Sequence, residues 1–251
     1  MRRPGAGPWA SVAILAVLLV AWELAAAARL VDPDVVSRPR EVLAAARVAF
    51  GSSEIFLDTA ITFVSVSIGL GAGVAIGVPA GIAIGLVREV RWACEWWFLV
   101  MNSLPRFALA PILIVALGLG LVSKSTVAFL GSVIPIALLV AAGVREIPPQ
   151  VFRVAAGFRL SRSQVLAKIV LPGTMPHIMT GTQLGFSRAL ASVIVAEMYN
   201  PRSGLGRWIA IGQTSLDTSQ LVFASILVAV IGALFVQGFT VTERKLVRWR
   251  A

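Results

Sequence analysis

The sequence predicts an all-α integral membrane protein of six transmembrane helices, and three observations carry that prediction. Apolar residues make up 58% of the 251 positions and charged residues 14%, against about 45–50% and about 25% in soluble domains. Mean hydropathy is +0.88. The apolar residues also run in unbroken blocks, such as 11–28 and 61–87, long enough to cross a hydrocarbon core about 30 Å thick. Backbone groups in lipid must be satisfied within the protein, and the blocks lack the strict alternation of barrel strands, so each is expected to be a helix.

Taken in order, the spans are 9–29, 57–87, 92–121, 126–144, 174–199 and 221–242, within one transmembrane domain covering 1–251. The first follows Met1-Arg2-Arg3, a start that signal peptides share, but its apolar stretch exceeds a signal-peptide core and reads as a span. Residues 31–56 hold a Pro-containing turn and an amphipathic helix with Val42, Leu43, Ala46 and Phe50 on its apolar side, an outer interfacial segment. The second span carries Gly69, Gly71, Gly73, Gly77, Gly81 and Gly85, several on one helical face. Such faces let helix backbones approach closely, which is how packing holds helices together in lipid. The third span is expected to break at Leu104-Pro105, because Pro removes a donor and biases its predecessor away from helix. Pro79, Pro111 and Pro135 also fall inside spans, where neighbouring helices can cover the freed carbonyls.

The net charge of +10 raises nucleic acid as a partner. The Lys and Arg residues, however, sit in short segments between apolar blocks, as cytoplasmic loops facing anionic lipid do, so no nucleic acid is expected. They concentrate at the N-terminus, at 88–91, across 145–168 and beyond 242, which predicts both termini on the cytoplasmic side. A single cysteine, Cys94, allows no internal disulfide, and a single histidine, His177, no multi-histidine metal site. The sequence lacks a Walker-type phosphate loop, a His-Glu-x-x-His and a Cys-x-x-Cys. Energy must then come from a partner or an ion gradient.

The segment 145–173 is too polar to span and is the most informative stretch. Pro148 and Pro149 suit a helix entry, and 150–158 and 163–170 can each form a short amphipathic helix. This stretch resembles the cytoplasmic coupling loop of ABC importer permeases, and the chain is similar to their sulfonate/nitrate/taurine branch. Further matches are Pro105-x-x-Ala108-x-x-Pro111 with Gly118-x-Gly120-x-x-Ser123-Lys124, Leu171-Pro172 with Pro176 and Gly181, and Val195-Ala196-Glu197-Met198 with Ser203-Gly204-Leu205-Gly206. Each is weak alone, and their order and spacing make the signal.

The resemblance implies a MetI-like six-helix bundle in the bacterial inner membrane, pairing with a second copy or a non-identical permease around a central path. It implies ABC ATPase subunits on the coupling loop and an extracytoplasmic substrate-binding protein outside. This chain would be no enzyme and bind no cofactor, with ATP and Mg on the partner ATPase. Residues implied in coupling are Arg153, Val154, Ala155, Ala156, Gly157, Arg159, Ser161, Leu171 and Pro172. Counting back from Leu171-Pro172 puts Arg153 where the family has an acidic residue and Arg159 where it has Gly. Gly permits a positive φ that Arg resists, and Gly157 could host a shifted turn. Three readings stay open: an ATPase adapted with an acidic groove, a weaker-coupling half of a heterodimer, or arginines that are merely solvated or touch lipid.

Arg188 sits near the middle of the fifth span, where an isolated cation costs at least about 2.5–3.5 kcal/mol. The resemblance places that helix on the translocation path, so Arg188, with Ser187 and Ser192 and a weaker candidate in Arg106, is implied in attracting an anionic solute. A structural ion pair or a snorkelling side chain is the competing explanation. Glu197, Ser203, Gly204 and Gly206 are implied in the outer gate or in docking the binding protein, with Glu197 paired to Arg202 or Arg207 at the surface. Competing with the importer is an ion-coupled transporter or channel acting alone, and a membrane-embedded enzyme ranks third. Glu23, Glu95 and Glu197 all fall near span ends, which leaves a proton or sodium relay little to work with.

Overall fold

The computed structural model describes residues 8–28, 37–104 and 106–246, with side chains left undescribed at a few of these positions. Among the described residues every regular element is helical. In chain order they are α1 (Pro8–Ala27), α2 (Pro39–Phe50), α3 (Glu54–Leu86), α4 (Arg88–Ser103), a 3-10 turn (Arg106–Leu109), α5 (Ala110–Leu117), α6 (Leu121–Arg145), α7 (Pro149–Gly157), α8 (Arg162–Val165), a turn of π-helix (Leu166–Val170), α9 (Leu171–Tyr199), α10 (Leu205–Thr214) and α11 (Thr218–Leu246). Arg2, Arg3, Arg29, residues 31–36, Pro105, Arg248 and Arg250 lie outside the described residues, and Arg106 is described in its backbone alone.

Glycine dictates the centre of the bundle. Gly69, Gly73, Gly77, Gly81 and Gly85 recur every fourth residue on α3 and meet α6 in the order Ala128, Ser132, Ile136, Val140, Val144. A Cβ at Gly81 would lie 2.5 Å from the Ala137 carbonyl oxygen, so the backbones touch where a side chain would hold them apart. Several of the six glycines are expected on one face, and five lie on it; Gly71 points away and has open space around it. Rising numbers on both helices mean that α3 and α6 run parallel, and residues 87–120 must therefore bring the chain back from one end of the bundle to the other. The 16 residues of α4, the 3-10 turn and the 8 of α5 do so, at about 1.5 Å per α-helical residue. The expected break is present: Leu104, ahead of Pro105, is extended at φ −73°, ψ 135° and ends α4.

Helix α9 packs antiparallel on α6. Ser192 and Arg188 lie against Gly131 at one end, and the His177 ring fills the space beside Gly143 at the other. Helix α11 closes the outside of the bundle by stacking Phe235 on Phe186, ring centroids 3.5 Å apart. Among the described residues three helices are long and apolar enough to cross a membrane: α3, α6 and α11 over Thr218–Val241. Their burial differs sharply, 72% for the apolar window of α6 against 11% for that of α11, so α6 is the axis and α11 a rim. Helix α9 has 29 residues but is not among the three, because Arg188, Glu197, His177 and its glycines and threonines dilute it.

Two expectations shift. In α2 the packed stripe is Val42, Ala45, Ala46 and Ala49, while Leu43 is exposed and Phe50 meets Phe223 edge-on at 5.6 Å. The second helix of the 145–173 segment does not end in a loop before the fifth span. It runs from Arg162 through the π turn into α9 without interruption, with Pro172 just past the π turn, where its ring leaves one ladder bond unmade.

Candidate functional site

Two groups of residues stand at opposite ends of the bundle. The first lies at the end of α9 remote from α7. Here Glu197 is 0% exposed and Lys124 5% exposed, and Lys124 Nζ donates to Glu197 Oε1 at 3.1 Å. The ammonium has three donors, and its other two contacts are the Ser203 carbonyl oxygen at 2.7 Å and Ser203 Oγ at 3.1 Å. Thr62 Oγ1 donates to the Glu197 carboxylate at 2.9–3.0 Å and accepts from Leu205 N at 2.9 Å. Gly206 N donates to Glu197 Oε2 at 3.0 Å, and Gly204 N to Asp58 Oδ1 at 2.7 Å. Arg207 Nη1 and Trp208 Nε1 complete Asp58 at 3.2 and 2.8 Å.

The physical logic is that of a capped helix end. The N–H groups of Gly204, Leu205 and Gly206 are those a helix N-terminus leaves without intrahelical partners, and here each goes to Asp58, Thr62 or Glu197. The carboxylates also suit the positive end of the α10 dipole. Only glycine fits at 204: its φ is +98°, and an added Cβ would stand 1.9 Å from Glu197 Oε1. Glu197 is thus not paired with Arg202 or Arg207 at the surface, as expected. Arg207 goes to Asp58 and to Glu54 at 3.2 Å, and the cation for Glu197 is Lys124, 73 residues away in sequence. In the sequence Lys124 falls in a predicted loop, and neither Asp58 nor Thr62 belongs to a local motif. The available signal was charge inside apolar blocks: Asp58 interrupts the second, and Lys124 precedes the fourth by two residues.

The second group is the 145–173 segment. Arg153, Val154, Ala156, Gly157, Arg159 and Ser161 are exposed, and Ala155 is buried under them. Val154 and Phe158 stand out in solvent at 58% and 77% exposure. Helix α7 ends in a Schellman-type cap: Leu160 N donates to the Ala155 carbonyl oxygen at 3.1 Å and Arg159 N to that of Ala156 at 2.9 Å. Arg159 occupies the left-handed position, with φ +51°. Gly157 stays inside α7, so the turn is not shifted onto it. Ser161 caps α8 reciprocally, accepting from Gln164 N while its own N–H donates to Gln164 Oε1 at 2.9 Å. Leu171 is 37% exposed. Pro172 lines a cavity of about 420 Å3 with Lys168, Glu146 and His177.

The residues expected on a translocation path separate. Arg188 and Ser187 are exposed on one face of α9 with Leu184 and Ala191. Among the described residues no carboxylate pairs with Arg188. Ser192 is buried instead, its Oγ donating to the Arg188 carbonyl oxygen at 2.8 Å in the seam with α6. Among the described residues no group of three His, Cys, Asp or Glu side chains could hold a metal ion.

A helical bundle whose helices include several long and apolar enough to cross a lipid bilayer fits the class of integral membrane proteins. The chain belongs to the family of binding-protein-dependent transport system inner membrane components, whose model matches residues 73–248. It is 29% identical over 244 residues to the taurine transport system permease protein TauC of Escherichia coli (strain K12), covering 95% of this chain and 89% of that one. It is 31% identical over 137 residues to the nitrate import permease protein NrtB of Leptolyngbya laminosa, covering 55% and 49%. Its fold is similar to that of the MetNI methionine ABC transporter in inward-facing conformations, with a TM-score of 0.61 at 19% identity over 79% of this chain and 94% of that one. The protein is therefore an ABC importer permease with a MetI-like fold, and the ion-coupled alternative is set aside.

Proposed function

We propose that this permease carries a small solute bearing a sulfonate, nitrate or similar anionic group. In this reading it crosses the inner membrane six times with both termini in the cytoplasm and pairs with a second permease around the exposed face of α9. Two ATPase subunits hold ATP and Mg and grip α7 and the turn at 158–161. A binding protein delivers solute at the end where α10 begins, and α2 lies at the outer surface. Closure of the ATPases draws the two α7 helices together and tilts the α3–α6–α9 core as one body, because its glycine contacts leave no slack.

The observation that carries the anion reading is Arg188, a cation near the middle of α9, exposed in the single chain and without a carboxylate partner among the described residues. In lipid such a charge is costly, whereas on a wet path between two permeases it is hydrated and can meet an anion. The names of the taurine and nitrate relatives support the same solute chemistry. The test is uptake into liposomes by the assembled transporter. Arg188→Ala is expected to cut uptake of an anionic solute about tenfold or more, with ATPase assembly unchanged and a neutral solute affected less. Wild-type kinetics for the anion in the variant would remove the proposal.

A further inference from the structure

The helix that starts the broken third stretch carries two faces of different chemistry. Val90, Arg91, Cys94, Glu95, Phe98 and Asn102 recur at helical spacing and are the half-buried positions of α4. Trp92, Trp96 and Trp97 are 73%, 69% and 64% exposed on the rest of it, and the Arg88 guanidinium lies 4.9 Å from the centroid of the Trp92 ring. Tryptophan concentrates where a membrane meets water, at headgroup depth.

Behind this face lies a cavity of about 430 Å3, bounded by the start of α4, the ends of α3 and α6, and α7. Arg91 and Arg145 line it, with Leu86, Ile147 and Phe152 among its apolar walls. Arg91 Nε is buried and has no hydrogen-bond partner. A buried donor left unmade costs about 1–3 kcal/mol, more on a charged group. Arg145 gives Nη1 to Glu95 at 2.6 Å, which leaves its other nitrogens for a ligand. Glu95 neutralises one of the two arginines, Glu89 is exposed on the first turn of α4, and Glu146 turns to His177 beside the neighbouring cavity. The site thus keeps one net positive charge.

We infer that this cavity binds the anionic headgroup of a phospholipid, with Arg91 as its main ligand and Arg145 as the second. A guanidinium fork matches phosphate oxygens two at a time, and one positive charge matches the single charge of a phosphodiester. Free phosphate suits the cations but leaves the apolar walls and the tryptophan face without a role, whereas a lipid satisfies both. Because Pro149 and Phe152 of α7 also form the wall, the headgroup ties the coupling segment to the membrane. Assigning it to the cytoplasmic leaflet rests on the orientation proposed above; the headgroup chemistry does not.

The experiment is native mass spectrometry of the assembled transporter released from nanodiscs of equal phosphatidylglycerol and phosphatidylcholine. Wild type is expected to retain phosphatidylglycerol in preference, and excess inorganic phosphate to leave it bound. Arg91→Gln is expected to lower the retained phosphatidylglycerol at least fivefold, while Arg162→Gln, an exposed arginine at the same end, changes nothing. Equal retention of the two lipids by wild type, or undiminished phosphatidylglycerol in Arg91→Gln, overturns the assignment, as does displacement by phosphate, which would make this a free-anion site. If Arg91→Gln does not assemble, the wild-type competition and Arg145→Gln still decide. The solute and the direction of transport do not enter these readouts, so a failure here and a failure of the transport reading stay distinct.

Discussion

Among the described residues, every buried charge at the end of the bundle where α10 begins is answered, and only the Ser125 hydroxyl beside Lys124 is buried there without a partner. Lys124 spends its three donors on Glu197 and Ser203, Glu197 and Asp58 take the first N–H groups of α10, and Arg207 and Trp208 fill what remains. At the α7 end the reverse holds. Val154 and Phe158 stand in solvent, Arg159 sits in a backbone region that disfavours it, and Arg91 Nε and His177 Nδ1 are buried without partners. The contrast teaches where the molecule is complete by itself. A sealed polar network inside a low-dielectric bundle fixes one geometry, since any rearrangement exposes a charge. An end with apolar residues in water and unmet donors has room for other molecules, in the proposals above an ATPase on α7 and a lipid beside α4.

The sealed end predicts the largest effect. Lys124→Met keeps an unbranched side chain, one atom shorter, and removes its charge, leaving the Glu197 carboxylate buried with no cation. Breaking a buried pair from one side costs about 3–5 kcal/mol, which at roughly 2–4 °C per kcal/mol lowers the thermal midpoint of the detergent-solubilised permease by about 10 °C. The double variant Lys124→Met/Glu197→Gln is expected to recover part of that loss, because a neutral amide still accepts from Thr62 and Gly206. A midpoint within 2 °C of wild type for Lys124→Met would erase the distinction between the two ends.

The open end predicts a smaller effect of a different kind. Phe158→Asp replaces an exposed ring with a charge, so the fold loses little and the thermal midpoint stays put. Association with the ATPase, in the reading proposed above, should weaken about tenfold, equivalent to about 1.4 kcal/mol. Quantitative pull-down of the ATPase by the tagged permease measures this. An unstable variant would mean that Phe158 belongs to the core, and a stable one with full ATPase recovery would leave α7 without its docking role.

The two ends were also unequally legible from sequence. Local chemistry announced the break at Leu104, the two short helices after Pro149 and the four-residue glycine rhythm of α3, because each depends on residues a few positions apart. Lys124 and Glu197 meet only because α6 and α9 pack antiparallel at one register, and Asp58 and Thr62 join them only because α3 follows the glycine seam. No spacing rule links positions 58, 124, 197 and 204. The rule that charge is costly within an apolar block singles out Arg188, whereas Asp58 and Lys124 stand at block ends, where a charge reads as a loop residue. The glycine seam, by contrast, is legible: several of the six glycines are expected on one face, and the five at four-residue spacing are those that pack, with Gly71 outside the rhythm.

The smallest predicted effect probes both ends of the contrast at one residue. Arg159 holds the left-handed position of the α7 cap, which costs a non-glycine residue about 1–2 kcal/mol, and among the described residues no carboxylate pairs with it. Arg159→Gly should therefore stabilise the isolated permease locally by about 1 kcal/mol, partly offset by the greater freedom of glycine in the unfolded chain. Hydrogen exchange at the Leu160 amide, which closes the cap, should slow about fivefold. In the assembled transporter two outcomes divide the readings of this arginine. If an acidic groove on the ATPase receives Arg159, the same variant loses ATPase affinity while gaining cap stability, and added salt weakens the wild-type complex more than the variant. If the arginine only faces water or lipid, the stability gain persists in the complex and the salt dependence is unchanged. Faster exchange at Leu160 in Arg159→Gly would show that the side chain supports the cap, and the strain assigned to this position would be wrong.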